Sequence, residues 1–102
     1  MDIITDVFGN NIRLTEERLN HILLHPEMQN MTHLIEQTLV APLLVKKSNS
    51  DKAVYLYYEY CLNTDVGDKW LCVAVKHLEN DAFVVTAYLT DKPKTGEIIW
   101  QK

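Results

Sequence analysis

Two histidines, His21 and His25, stand four residues apart in the segment HILLHPEM, and Glu17 precedes His21 by the same interval. On a helix, residues four apart share one face. Imidazoles at this spacing are typical of helical zinc ligands, although the glutamate of an HExxH motif is missing. A histidine can also serve as a general acid or base, or complement the dipole in the last turn of a helix. The spacing leaves these three interpretations open.

A second group of reactive side chains lies in the segments WLCVAVK (residues 70–76) and FVVTAYLT (residues 83–90). Side chains of a strand alternate between its faces. The odd positions therefore predict one apolar face, which the helices are expected to cover, made of Leu71, Val73, Val75, Phe83, Val85, Ala87 and Leu89. The other face then carries Lys76, Thr86, Tyr88 and Thr90, with Lys76 close to Thr86. These groups suit phosphate binding, but they are equally ordinary on a half-solvated sheet face. The alternative is that the helices meet the even face, with Trp70, Cys72, Ala74 and Val84, and that the polar groups cluster at its rim.

The composition limits the classes of protein to consider. The chain has 102 residues, which predicts a single domain over residues 1–102, and it carries a formal net charge of −4. Proteins that grip duplex DNA through many phosphates are usually basic, so any nucleic-acid surface is expected to be a small local cluster of cations. Cys61 and Cys72 lie in apolar runs, which is typical of reduced thiols in a cytoplasmic protein. Neither a membrane span nor a signal peptide is expected.

The pattern along the chain predicts an α+β fold. Extended residues on both sides of Gly9-Asn10 predict a short N-terminal hairpin. Thr15 is placed to cap a helix that Pro26 ends, and a second helix is expected from about Asn30 to Val40. Extended segments then follow at residues 42–47, 52–62, 70–78 and 83–90, with TGEIIW (residues 95–100) as a candidate last one. The expected architecture is two helices packed on a mainly antiparallel sheet of about four strands.

The order of these segments resembles the phage-associated members of the barnase, EndoU, colicin and RelE-like (BECR) nuclease superfamily. The resemblance runs from about residue 6 to residue 100 and is carried by FGNNIRLTEERLNHILLHPEM, IEQTLVAP, LCVAVK, FVVTAYLT and KTGEIIW. It implies a ribonuclease that needs neither a metal nor another cofactor, of a kind found in phages and mobile elements or used as a toxin. It also implies two N-terminal helices against a four-stranded antiparallel sheet.

The matching positions imply four catalytic residues: Arg13, His21, Lys76 and Thr86. Metal-independent RNA cleavage needs a base for the 2′-hydroxyl proton, an acid for the leaving 5′-oxygen and fixed donors for the charge on phosphorus. His21 is the candidate acid or base. Arg13 and Lys76 would hold the phosphate, and Thr86 would donate a hydrogen bond to it.

Three further residues are expected to bind the substrate, which would be single-stranded RNA. Thr90 would donate to a phosphate oxygen, and Tyr88 or Tyr57 would stack on an unpaired base. An antitoxin or immunity-like protein is a candidate partner, and no membrane association is expected.

The alternative hypothesis is a noncatalytic protein-binding module with the same fold. YLYYEYCL (residues 55–62) is an aromatic strand of low charge. If it lies at a sheet edge, it can pair with a partner or with itself in a homodimer. Convergence of Arg13, His21, Lys76 and Thr86 in one cleft would favour the nuclease, and scattered positions would favour the binding module.

Overall fold

The computed structural model describes residues 2–102. Two helices are present, α1 (Glu16–Leu23) and α2 (Thr32–Val40), with a short 3₁₀ helix (Pro26–Met28) between them. The strands are β1 (Asp2–Thr5), β2 (Asn11–Leu14), β3 (Leu44–Ser48), β4 (Val54–Thr64), β5 (Gly67–Leu78), β6 (Asp81–Thr90) and β7 (Gly96–Gln101). The predicted α+β class, the N-terminal hairpin and both helices are confirmed. Within residues 2–102, no helix is long and apolar enough to cross a membrane.

The prediction of about four mainly antiparallel strands is wrong. The described residues form one seven-stranded mixed sheet in the order β1-β2-β6-β5-β4-β3-β7, and β2 pairs with β6 in parallel. The N-terminal hairpin thus belongs to the main sheet, because the chain returns beside β2 only after both helices and three strands. The last segment adds a strand at the far edge, where β7 pairs with β3.

The helices cover one face of this sheet. The Thr15 hydroxyl accepts a hydrogen bond from the Arg18 amide at 3.1 Å and so begins α1, as its predicted capping role requires. Helix α1 packs on β6, and α2 packs on β1, β4 and β5. Ile22 of α1 and Ile35 and Leu39 of α2 are buried in this core, together with the side chains that β4 and β5 direct towards the helices. We call this side of the sheet the helix face.

A β-bulge changes which residues of β6 reach the helix face. Opposite Ala74 stands Thr86, but opposite Val75 stands Val84, so one residue of β6 is left over between the two pairs. Ala82 and Val84 therefore join the core under the helices, while Val85 packs on the other side. The prediction that Phe83 and Val85 belong to the helix-covered set is wrong, because strict alternation does not pass through a bulge.

The opposite side of the sheet has its own apolar cluster: Leu56, Tyr58, Cys72 and Ala74 are buried there. Residues 91–95, which connect β6 to β7, cross this side of the sheet, because β7 lies beyond β5, β4 and β3. The Lys94 amide donates to the Tyr58 hydroxyl at 3.0 Å, and Lys46 Nζ donates to the Lys94 carbonyl at 2.9 Å. We call residues 91–95 the strap, and the side that they cross the strap face.

Gly96 is where the strap joins the sheet, and there is no room there for a side chain. A Cβ on Gly96 would overlap the backbone carbonyl oxygen of Lys47. We expect Gly96→Ala to lower the free energy of unfolding by roughly 1–3 kcal/mol, because the backbone of β3 or β7 must move. Urea unfolding measures this, with the exposed neighbour Thr95→Ala as control; equal midpoints for the two variants would contradict the tight approach of these strands.

Candidate functional site

The strap face brings together five of the seven residues that the sequence singled out. Arg13 lies on it, because its neighbours Ile12 and Leu14 are buried on the helix face. Lys76 pairs across the strands with Phe83, and Thr86 stands opposite Ala74. On the same face, Tyr88 is opposite Cys72 and Thr90 is opposite Trp70. Lys76 and Thr86 are thus diagonal neighbours on one face, as predicted.

Arg13 is held by a bidentate ion pair. Its Nε and Nη2 atoms donate to the two carboxylate oxygens of Asp81 at 2.9 and 2.7 Å, and the guanidinium lies 5.4 Å from the centre of the Phe83 ring. The hydrogen bond from Arg13 holds the pKa of Asp81 below its ordinary value. About two fifths of each side chain stays exposed, so an incoming anion can reach the pair. The planar fork suits a phosphate as well as a carboxylate.

Lys76 forms a second ion pair on the same face, with Asp51 in the loop between β3 and β4. The Asp51 carboxylate also accepts from the Ala53 amide at 3.0 Å, and these hydrogen bonds lower the pKa of Asp51, that from Lys76 most strongly. The ammonium group is therefore positioned by a carboxylate that is itself fixed by the loop. Both side chains remain partly exposed, which leaves Lys76 accessible to a ligand.

Two of the predicted substrate-binding residues, Tyr88 and Thr90, contact the strap or the apolar cluster beneath it. The Tyr88 hydroxyl is buried and has no hydrogen-bond partner within residues 2–102, and burial next to the Cys72 thiol raises its pKa. Lys94 Nζ lies 5.8 Å from the centre of the Tyr88 ring. The Thr90 hydroxyl donates to the Lys92 carbonyl at 3.2 Å. Tyr88 thus packs under the strap rather than offering an open ring for stacking.

His21 and Tyr57 lie away from the strap face. His21 is exposed on α1, where the cleft that it lines is formed with Glu17, Arg18, Asn20 and Leu24. Helix α1 ends at Leu23, so His25 lies beyond it and approaches Glu27 instead, with Nδ1 3.8 Å from Oε1. The described residues contain no group of three or more histidine, cysteine or acidic side chains arranged to hold a metal ion. The metal interpretation of the four-residue spacing therefore has no third ligand.

Tyr57 belongs instead to a buried polar network on the helix face. Its hydroxyl donates to Oδ2 of Asp6 and lies 3.0 Å from Nε2 of His77. Oδ1 of Asp6 accepts from the amides of Phe8 and Asn10 at 3.0 and 2.7 Å. Asp6 is only 5% exposed and Tyr57 is fully buried, so the network ties the β1–β2 turn to β4 and β5. The sequence pattern gives no sign of it, because its members are 20 and 51 residues apart.

The hydrogens of this network define the state of the imidazole. The single hydroxyl hydrogen of Tyr57 is donated to Asp6, so the Tyr57 oxygen accepts from Nε2–H of His77. In the neutral imidazole, Nδ1 is then the basic nitrogen. His77 also stacks on Tyr55, with ring centres 4.1 Å apart, and it lines a cavity of about 220 Å³ with Asn10, Asn11, Asn80 and Asp81. Burial lowers the pKa of His77, and Asp6 opposes this in part.

Comparison with protein-family models, with curated protein sequences and with solved structures found no match in any of the three. The function is therefore inferred from the geometry of the strap face and from the residue types that it collects.

Removing the Tyr57 hydroxyl tests the buried network. We expect Tyr57→Phe to lower the free energy of unfolding by roughly 1–3 kcal/mol, because Asp6 and His77 each lose a partner in a buried setting. Urea unfolding at neutral pH measures this. Tyr55→Phe, on the same strand but outside the network, is the control, and a loss no larger than in this control would count against the network.

His77 makes stability depend on pH in a defined direction. Its pKa is below 6.5 in the folded protein and near 6.5 in the unfolded chain, so the unfolded chain binds more protons between these two values. Stability should therefore fall as the pH drops from about 7.5 to about 5.5. The fall in urea midpoint should be smaller in His77→Gln than in the wild type, and the same as the wild type in His33→Gln, which alters an exposed histidine.

Proposed function

We propose that this protein binds single-stranded RNA on its strap face and cleaves it as a metal-independent ribonuclease of the BECR type. The proposal rests chiefly on one observation: Arg13, Lys76 and Thr86 share this face with two further cations, Lys46 and Lys94. These are the residue types that a phosphodiester requires, and the resemblance of LCVAVK and FVVTAYLT to those nucleases points to the same strands.

The local charge of the strap face offsets the acidic balance of the whole chain. The protein carries a net charge of −4, but two of the cations on this face are paired with carboxylates, Asp51 and Asp81, that a phosphate can replace. An RNA phosphate must therefore compete with an internal anion at each site. This predicts modest affinity that weakens with salt and that rises when a competing carboxylate is removed.

Cleavage on this face places specific demands on Lys76. The 2′-oxygen attacks phosphorus, the bond to the 5′-oxygen breaks, and a 2′,3′-cyclic phosphate forms. Arg13 would stabilise the charge on phosphorus, and the Lys76 ammonium would protonate the leaving 5′-oxygen. Once the phosphate has replaced it at Lys76, the Asp51 carboxylate would take the 2′-hydroxyl proton. The predicted acid/base role of His21 requires RNA to extend from this face around to α1.

Binding and cleavage of a labelled single-stranded RNA in EDTA test the proposal. Lys76→Gln should weaken binding and lower the slope of log K against log salt by about one, because one phosphate contact is lost. Asp51→Asn should strengthen binding but slow cleavage. Lys69→Gln is the matched control, because Lys69 is paired with Asp91 in the same way but lies on the helix face.

The products separate the alternatives. Cyclic-phosphate products that persist in EDTA and disappear in Lys76→Gln support the ribonuclease. Loss of cleavage in His21→Ala with unchanged binding would give the acid/base role to His21. Binding without cleavage would leave an RNA-binding module, and a Lys76→Gln variant that binds like the control would remove the strap face from the function. The alternative of pairing through the tyrosine-rich strand has no support, since β4 lies between β5 and β3.

A further inference from the structure

An exposed aromatic pair lies on the strap face, at the end of the sheet away from Lys76. Tyr60 of β4 stands opposite Trp70 of β5, with ring centres 5.2 Å apart and planes inclined at 65°. Tyr60 is 43% exposed, and Trp70 is partly exposed. Trp70 also makes an edge contact with the buried ring of Tyr58, with ring centres 6.3 Å apart and planes at 90°. This contact holds the pair in place. Two rings are therefore held at the surface in a defined orientation.

The strap lies between this pair and the phosphate-binding groups. It starts at Asp91, next to Thr90, which is opposite Trp70. It ends at Thr95, next to Gly96, which is paired with Ser48 near the Lys76 end of the sheet. Trp70 and Lys76 are six residues apart on one strand, or about 20 Å. The strap carries Lys92 and Lys94, and both are exposed. Cationic residues thus occupy the interval between the aromatic pair and Lys76.

We infer that Tyr60 and Trp70 form a stacking subsite for an unpaired base of single-stranded RNA, with the strap lysines accompanying the backbone towards Lys76. The inference rests on the proposed function and adds a feature of the substrate: the single strand must be several nucleotides long, so that it reaches from the aromatic pair to Lys76. Aromatic side chains beside a cationic path are the usual means of binding single strands, because every base has a π-face whatever its sequence. A duplex keeps its bases stacked internally and cannot use the subsite.

Trp70 supplies its own probe for the test. The chain has two tryptophans, so Trp100→Phe leaves Trp70 as the only one. In that background, a single-stranded RNA of about 12 nucleotides, within the range of known single-strand sites, should quench the Trp70 emission. The same RNA annealed to its complement, and a dinucleotide, should quench it much less. Tyr60→Ala should weaken binding of the single strand about tenfold, measured by anisotropy of a labelled RNA.

Phe8→Ala is the matched control, since Phe8 is about as exposed as Tyr60 but packs on the rings of Tyr55 and Tyr57, which belong to the helix face. It should bind RNA like the wild type. Binding that depends on Lys76 but leaves both the Trp70 emission and the Tyr60→Ala affinity unchanged would overturn the subsite alone. Absence of RNA binding by the wild type would overturn the subsite and the proposed function together.

Discussion

The fold depends on covering both faces of β5. Residues 71–75 of this strand are all buried, so its side chains need an apolar partner on either side of the sheet. Both helices pack on the same face, so they supply only one of the two covers. The strap supplies it by crossing the sheet on the way to β7, and the β3–β7 pairing holds its far end. One connection therefore completes both the sheet and the second core.

This solution determines what the strap face can offer a ligand. The strap buries Tyr58 and Cys72 in the middle of the face, so the groups left exposed lie at its two ends and on the strap itself. The polar end carries the ion pairs of Arg13 and Lys76, and the other end carries the Tyr60 and Trp70 rings. A ligand that uses both ends must be extended. The proposed ligand, a single-stranded RNA, is an extended polyanion with unstacked bases.

The helix face solves a different problem, the burial of polar groups. A carboxylate in a core is costly unless its oxygens are hydrogen-bonded, and Asp6 meets this condition through two amides and the Tyr57 hydroxyl. His77 completes the network from a third element. The network joins Asp6 in the first turn to Tyr57 and His77 on two central strands. It therefore attaches the hairpin that carries Arg13 to the helix face of the sheet. The position of Arg13 on the strap face thus depends on polar contacts on the helix face.

Local signals in the sequence predicted the local structure well. The Thr15 cap, the two helices, the first of which ends before Pro26, and the strands around Val73 and Ala87 follow from propensity and periodicity. The parallel β2–β6 pairing and the β3–β7 edge could not be predicted, because both join segments that are distant in sequence. The bulge near Val75 could not be predicted either, because an extra residue does not change which residues of β6 are apolar. Strand parity nevertheless placed Lys76 and Thr86 on one face, because the alternation is unbroken from Leu71 to Lys76 on β5 and from Thr86 to Thr90 on β6, and Ala74 pairs with Thr86.

His21 and His77 differ in how much their neighbours in sequence reveal about their surroundings in the fold. His21 stands in a motif-like spacing, but spacing along a helix says nothing about what lies opposite, and here it faces solvent. His77 stands in a segment of alternating apolar residues, where the pattern predicts only that a histidine is partly buried. Its partners come from the first turn and from β4, so only the assembled sheet shows that its imidazole has a defined tautomer. The His77 imidazole is held by Tyr57 on the helix face, so it belongs to the buried network rather than to the ion pairs of the strap face. The helix face thus holds the oriented imidazole, and the strap face holds the cations that the proposed function uses to bind a phosphate.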